Sequence, residues 1–202
     1  MARKSKEEME LTRLALLEAA LHLFAEKGYS KTTLNDIAER AGFTRGAVYW
    51  HFKDKPMIFT EVMAHYDEPL SGLVAIELAK ADGPREWLQA LFKGFVKILG
   101  ENRDLQTAVF VRVRRTEYPD ELLPFYVEKQ KERNQLQLLV KQQIVLGIDQ
   151  GVFRADLEAD VAAGTAMAFI MGLFGMLFTQ PGVSDFSGLD GSIEIFMRGL
   201  EA

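Results

Sequence analysis

An all-α fold of about nine helices is predicted by three features of the sequence. Apolar residues recur at intervals of three and four, no stretch alternates apolar and polar residues as a strand would, and glycine or proline breaks divide the helical runs. There is no internal repeat. A chain of 202 residues suits one or two domains and can bury a substantial core. It has no cysteine, so disulfides and thiolate metal sites are excluded, and a reducing cytoplasm is the expected setting.

The spacing predicts a first helix over 7–27. Its Leu16, Ala20, Leu23 and Phe24 make an apolar stripe, Gly28 caps its end and Tyr29 begins a turn. Thr33 with Asp36 three residues on has the spacing of a capping box, which satisfies free N–H groups at a helix start. The second helix therefore opens at Leu34, with Leu34, Ile37, Ala38 and Ala41 on one face. Gly42 ends it in left-handed backbone, and Phe43 packs back on the preceding turn. Thr44 starts the third helix, and Phe52 after it is the expected plug of a small three-helix core.

A fourth helix begins near Asp54, with Pro56 in its first turn where a missing N–H does no harm, and continues towards Lys80. Asp82-Gly83-Pro84 breaks the pattern. Residues 85–100 form a fifth helix with a wide apolar face that includes Trp87, Leu88, Leu91, Phe92, Phe95 and Leu99. A sixth runs over 103–116 until Tyr118-Pro119-Asp120, because the residue before a proline is pushed out of helical backbone. A long, largely charged seventh helix is expected over 121–147, and an eighth over 160–178 until Gln180-Pro181-Gly182. Leu189, Ile193, Phe196, Met197 and Leu200 recur at helical spacing in the last.

Residues 161–178 carry no charge, the length at which a spanning helix becomes conceivable. Thr165 within the run, Asp160 at its edge and the lack of spare length favour a helix buried on all sides. The charged N-terminus has no secretory pattern. No membrane association is expected.

Formal net charge is -5, which argues against a protein that simply coats nucleic acid. The first 63 residues are nonetheless mildly basic, with 10 Lys and Arg against 9 Asp and Glu. Two short helices joined by three or four residues containing Gly describe a helix-turn-helix, whose second helix enters the DNA major groove. Arg45 offers a fork of donors suited to guanine or phosphate, and Gly46 permits close approach of backbone. Tyr49, His51, Lys53 and Lys55 add polar tips of the kind that contact phosphates, and Arg3, Lys4 and Lys6 add sequence-independent attraction. Taken singly, each of these residues reads equally as a cap, a solvated charge or an aromatic plug. Their gathering in one capped helix-turn-helix favours DNA contact.

The string Ala41-Gly42-Phe43-Thr44-Arg45-Gly46-Ala47-Val48-Tyr49-Trp50-His51-Phe52-Lys53, with Lys55, resembles the DNA-binding signature of the TetR family of transcriptional repressors. Its Thr-Arg-Gly-Ala-x-Tyr-Trp-His-Phe core is similar to the AcrR/TtgR-type subgroup, which controls multidrug efflux pumps. The similarity covers residues 10–63; beyond them only length and helical pattern agree. The resemblance implies an N-terminal helix-turn-helix DNA-binding domain over 1–55 and a C-terminal ligand-binding and dimerisation domain over 56–202. It implies that Arg45 and Gly46 meet bases or nearby backbone and that Tyr49, His51 and Lys55 grip phosphates. Thr33 and Thr44 would present hydroxyls and helix N-termini to phosphate oxygens. Trp50 either packs in the small core or joins the DNA contacts.

The resemblance further implies a hydrophobic small-molecule inducer, release of a palindromic operator on its binding, and no cofactor. Phe92, Phe95, Phe110, Phe169, Met171, Phe174 and Met176 either line an apolar ligand cavity or fill core. Arg112, Arg114 and Arg115 either face solvent or present one guanidinium to an anionic ligand group. Ala168 and Gly172 form a small-xxx-small pair that permits close helix approach. With Ile193, Phe196 and Met197 they are expected in a two-fold homodimer interface of four helices. Such a dimer would set two recognition helices about 34–36 Å apart or a multiple of it. A regulator that activates, or one that represses constitutively, is the nearest alternative. An enzyme is not expected: His65, Asp67 and Glu68 offer possible metal ligands, but no second histidine stands at metal spacing, and no metal is expected.

Overall fold

The computed structural model describes residues 6–114, 119–177 and 188–202, except for the side chains of residues 67–71, 73, 74, 77, 174, 176 and 177. Its helices are α1 (Lys6–Lys27), α2 (Leu34–Arg40), α3 (Arg45–His51), α4 (Lys55–Leu78), α5 (Pro84–Glu101), α6 (Arg103–Arg114), α7 (Leu123–Asp149), α8 (Ala159–Leu177) and α9 (Leu189–Leu200). The fold is all-α as expected, and among the described residues the extended pairing is a single bridge between Phe153 and Glu201. No helix among the described residues is long and apolar enough to cross a membrane. Arg3, Lys4, Arg115, Tyr118, Phe178 and the Gln180-Pro181-Gly182 stop lie outside the described residues.

The first three helices form where local chemistry says they should. Leu16, Ala20, Leu23 and Phe24 are all buried, and α2 and α3 lay Ile37, Ala38 and Val48 against them. Phe52 is 1% exposed, the core plug its position predicted. The first turns of α4 add Ile58, Phe59, Val62 and Met63, all fully buried. Phe59 meets Phe24 at 5.6 Å and, on its far side, Phe125 of α7 at 5.2 Å between ring centroids. One seam of aromatic rings thus joins the N-terminal helices to α7.

α7 begins later than the expected residue 121. A 3-10 turn over Asp120–Leu122 precedes it, and the helix starts at Leu123 with Pro124 in its first turn. In the first turn the missing N–H of proline costs no hydrogen bond, so Pro124 favours a start at Leu123. At the other end the chain folds back. Val152 and Phe153 donate their N–H groups to Gly147 O at 2.8 and 3.0 Å, which lays the Phe153 ring on Gly147. A Cβ at Gly147 would stand 2.9 Å from Phe153 Cγ and nearer still to the ring edge. Arg154 N then donates to Leu200 O at 2.9 Å, and Arg85 holds Glu201 at 2.6 Å, which fastens the C-terminus to α5.

Two expectations about the last helices need correction. α8 is not covered on all sides: Ala162, Ala163, Ala166, Met167 and Ile170 are buried, whereas Val161 and Met171 are 61% and 42% exposed, beside exposed Thr165, Ala168 and Gly172. In α9, Ile193 and Met197 are fully buried within the protomer and so are not free to form a subunit interface. With Leu200 they make the stripe at i, i+4 and i+7 that the protomer's own core takes first. The opposite face carries Gly191, Ile195 and Gly199, with Ile195 76% exposed.

Candidate DNA-binding site

Each helix of the pair is held by its own caps. Thr33 N donates to Asp36 Oδ2 at 2.8 Å and Asp36 N to Thr33 Oγ1 at 3.1 Å, so the capping box is complete. At the other end of α2, Gly42 has φ +73°. Gly42 N donates to Glu39 O at 3.1 Å and Phe43 N to Ala38 O at 2.9 Å, closing the helix and turning the chain towards α3. Thr44 Oγ1 accepts from Ala47 N at 3.3 Å and opens α3. With Val48 fully buried and Phe52 behind it, the recognition helix has one fixed side.

Its other side faces outward. Arg45, Gly46, Tyr49 and Trp50 are exposed, with Tyr49 at 48% and Trp50 at 76%. Trp50 therefore does not pack in the three-helix core. Arg45 Nη2 donates to the Tyr49 hydroxyl at 3.1 Å, and its guanidinium carbon stands 5.4 Å from the Tyr49 ring. One helical turn separates the two residues, so the tyrosine organises the arginine without withdrawing it from solvent. His51 is half-buried beside Phe52, while Lys53 is exposed.

Lys55 is turned elsewhere. Its ammonium donates to Tyr29 O at 3.1 Å and Ser30 O at 3.5 Å, and lies 4.2 Å from the centre of the Tyr29 ring. Burial pushes its pKa down. In this structure Lys55 secures the turn after α1, a use that no local pattern could announce, because its partners lie 25 and 26 residues away.

Ion pairs brace the unit from outside. Lys27 Nζ lies 2.7 Å from Asp36, Arg40 pairs with Glu26 at 2.6 Å, and Arg13 of α1 pairs with Glu61 of α4 at 2.5 Å. Lys27, together with the Thr33 backbone and hydroxyl, holds the Asp36 pKa down at about 2. A carboxylate with a depressed folded-state pKa adds stability that is present above its unfolded value, ~3.9, and is lost as pH falls towards the folded value. Acid titration of the folded protein should therefore show a loss of stability between about pH 4 and pH 2 that Asp36→Asn removes. An unchanged acid limb in that variant would mean that Asp36 contributes nothing by its charge.

Two of the aromatic residues considered for a ligand cavity pack on each other. Phe92 and Phe169 meet edge to face at 5.4 Å, and Phe196 stacks on Phe169 at 4.9 Å and 14° while meeting Phe92 at 5.2 Å. Phe196 is thus half-buried in a three-ring cluster between α5, α8 and α9. Phe110 is 4% exposed and Phe95 half-buried. Arg114 donates to Gly175 O at 2.5 Å, tying the end of α6 to the last turns of α8. The side chains of Phe174 and Met176, like those of Asp67 and Glu68 near His65, lie outside the described residues. An open groove of about 650 Å³ runs between the start of α8 and the end of α9, bordered by Leu157, Val161, Thr165, Ile195 and Gly199.

Comparison with known proteins agrees with this geometry. A family model described as bacterial regulatory proteins, tetR family, matches residues 16–62, the segment from α1 into α4. The transcriptional regulator AcrR of Shigella flexneri is 55% identical over 62 residues, a stretch that spans 31% of this chain and only 29% of that relative. The transcriptional repressor BepR of Brucella suis biovar 1 is 31% identical over 173 residues, 84% of this chain and 82% of the relative. The crystal structure of NalD, described as the secondary repressor of the MexAB-OprM multidrug efflux pump in Pseudomonas aeruginosa, matches with a TM-score of 0.81 at 29% identity. That match covers 97% of this chain and 98% of NalD. With a capped helix-turn-helix at its N-terminus and likeness to such regulators along nearly its whole length, the chain belongs to the TetR family of bacterial transcriptional regulators.

Proposed function

We propose that this protein is a dimeric, ligand-responsive repressor of a multidrug efflux operon, and that it acts by occupying a palindromic operator. The observation that carries the reading is the outer face of α3, where Arg45, Gly46, Tyr49 and Trp50 stand exposed on a helix whose other side is locked into the core. Arg45 and Gly46 meet bases or adjacent backbone; Tyr49, Trp50 and His51 meet the phosphates that flank them, with the hydroxyls of Thr33 and Thr44 at the helix starts. Residues 1–55 serve as the reader and residues 56–202 as the ligand-binding and dimerising part. Lys55 serves the DNA contact through the turn it holds.

The exposed face of α8 and the outward face of α9 suit a two-fold contact. Ala168 and Gly172 on α8 and Gly191 and Gly199 on α9 leave room for close helix approach, since a Cβ at any of the three glycines would meet nothing within 4 Å. Val161, Met171 and Ile195 supply apolar area beside them. An isologous interface of α8 and α9 from two copies places two heads against one face of a duplex. Ile195→Glu is expected to shift the protein from dimer to monomer at micromolar concentration in analytical ultracentrifugation, with helical content unchanged. A variant that remains dimeric would move the interface elsewhere.

The inducer is a hydrophobic small molecule held among the helices of the C-terminal part, and it favours a conformation in which the heads no longer match the operator. Ligand and operator then oppose one another by linkage, typically by ~1–3 kcal/mol. Selection from a random DNA pool tests the reading: a twofold-symmetric sequence should emerge. Its affinity should fall about 5- to 150-fold under a saturating efflux substrate that binds the protein. No enrichment over random fragments at physiological ionic strength would refute the proposal. Unchanged affinity with every bound compound would leave a constitutive repressor.

A further inference from the structure

We infer that the hydrogen bond from Tyr29 to Glu121 is a positioning contact for operator recognition, fixing the angle at which each reading head is presented. The inference rests on the dimeric DNA-binding reading above and deepens it. The chain passes from the head into the rest of the protein only through α4. α1 of the head also packs on α6, but packed faces tolerate sliding, and a directional tie away from the α4 axis limits the pivot that sliding allows.

Tyr29 is built to be that tie. It follows α1, is 1% exposed, and its ring is boxed by Phe24 at 5.6 Å and Phe59 at 5.3 Å, with the Lys55 ammonium 4.2 Å from the ring centre. A phenylalanine would satisfy all of that packing. The hydroxyl does something the ring cannot, donating to Glu121 Oε1 at 2.7 Å across 92 residues of sequence. Burial and the facing carboxylate push the Tyr29 pKa far up, so it stays a donor. The neighbouring Phe59–Phe125 contact joins the same two parts, but ring contacts tolerate sliding, whereas an O–H···O⁻ bond is directional. Glu121 stands in the 3-10 turn that leads directly into α7, which packs on α8. Movement of α7 is thereby delivered to the head by a route other than α4.

The chain has no cysteine, so two spin labels can be placed at will. Glu39→Cys on α2 and Gln142→Cys on α7 are exposed positions. Dilution with unlabelled protein restricts the measured distances to pairs within one chain. Tyr29→Phe keeps the ring and loses the donor; Glu121→Ala removes the acceptor from an exposed position, away from the core. We expect one narrow head-to-body distance in the parent, a broad or displaced one in both variants, and a near-parental one in Glu121→Gln, which keeps an acceptor oxygen. With the palindrome selected above as probe, adding or removing one central base pair should weaken the parent at least tenfold and either variant less than threefold. Preference within a half-site should not change. Parental distance distributions in both variants would overturn the inference, as would parental discrimination between spacings. Failure to select any palindrome would refute the DNA-binding reading itself, and the operator role with it, whatever the labels report.

Discussion

Phe59→Ala is expected to cost about 3–5 kcal/mol of stability, the range for emptying an aromatic site in a closed core. In a chain of this size that corresponds to a fall in melting temperature of roughly 6–20 °C. Phe59 is fully buried and touches Phe24, Tyr29 and Phe125 at ring distances of 5.6, 5.3 and 5.2 Å. Its removal opens a void between the reading head and α7, where rigid aromatic neighbours on three sides cannot close in. Urea unfolding checks it. A loss below about 1.5 kcal/mol would mean that the seam collapses around the missing ring and leaves little cavity.

Arg45→Ala is expected to weaken operator binding by about 1–3 kcal/mol and to relax the choice at one base pair. The arginine is exposed, stands at the first residue of α3, and is steadied by the Tyr49 hydroxyl 3.1 Å away. A guanidinium so placed can form two parallel bonds to one guanine, and its loss is felt only where that base stands. Binding measured on operators mutated singly at each position is the check. Equal weakening on every sequence would make Arg45 a phosphate clamp instead.

The helix-turn-helix was legible because its determinants are local. Thr33 with Asp36, Gly42 with Phe43, and Thr44 act within three to five residues of themselves, and the structure draws the hydrogen bonds that those spacings foretell. Periodicity likewise placed the helices to within a few residues. Where it misled, a second rule was in force. Pro124 favoured a start at Leu123, since in the first turn of a helix a proline's missing N–H costs no hydrogen bond.

The C-terminal part was less legible for a physical reason. Apolar spacing says that a face will be covered but not by what. Ile193 and Met197 had the pattern of an interface and lie in the protomer's own core, whereas Ile195, two residues from each, stands in the open. The outward glycines at 191 and 199 were a signal in plain view, spaced eight apart around Ile195. Phe92 and Phe169 suited a cavity as well as a core, and their spacing could not announce that they meet each other and Phe196, expected at the dimer interface.

Helix number, the caps, the reading helix and the family signature are thus written in short stretches of the chain, because hydrogen bonds between near neighbours and a 3.6-residue period need no knowledge of distant partners. Folding alone turned Lys55 inward, brought Tyr29 to Glu121 and chose which side of α9 faces outward. Those outcomes depend on which distant surfaces compete for the same side chain, and that competition is resolved only when the helices pack.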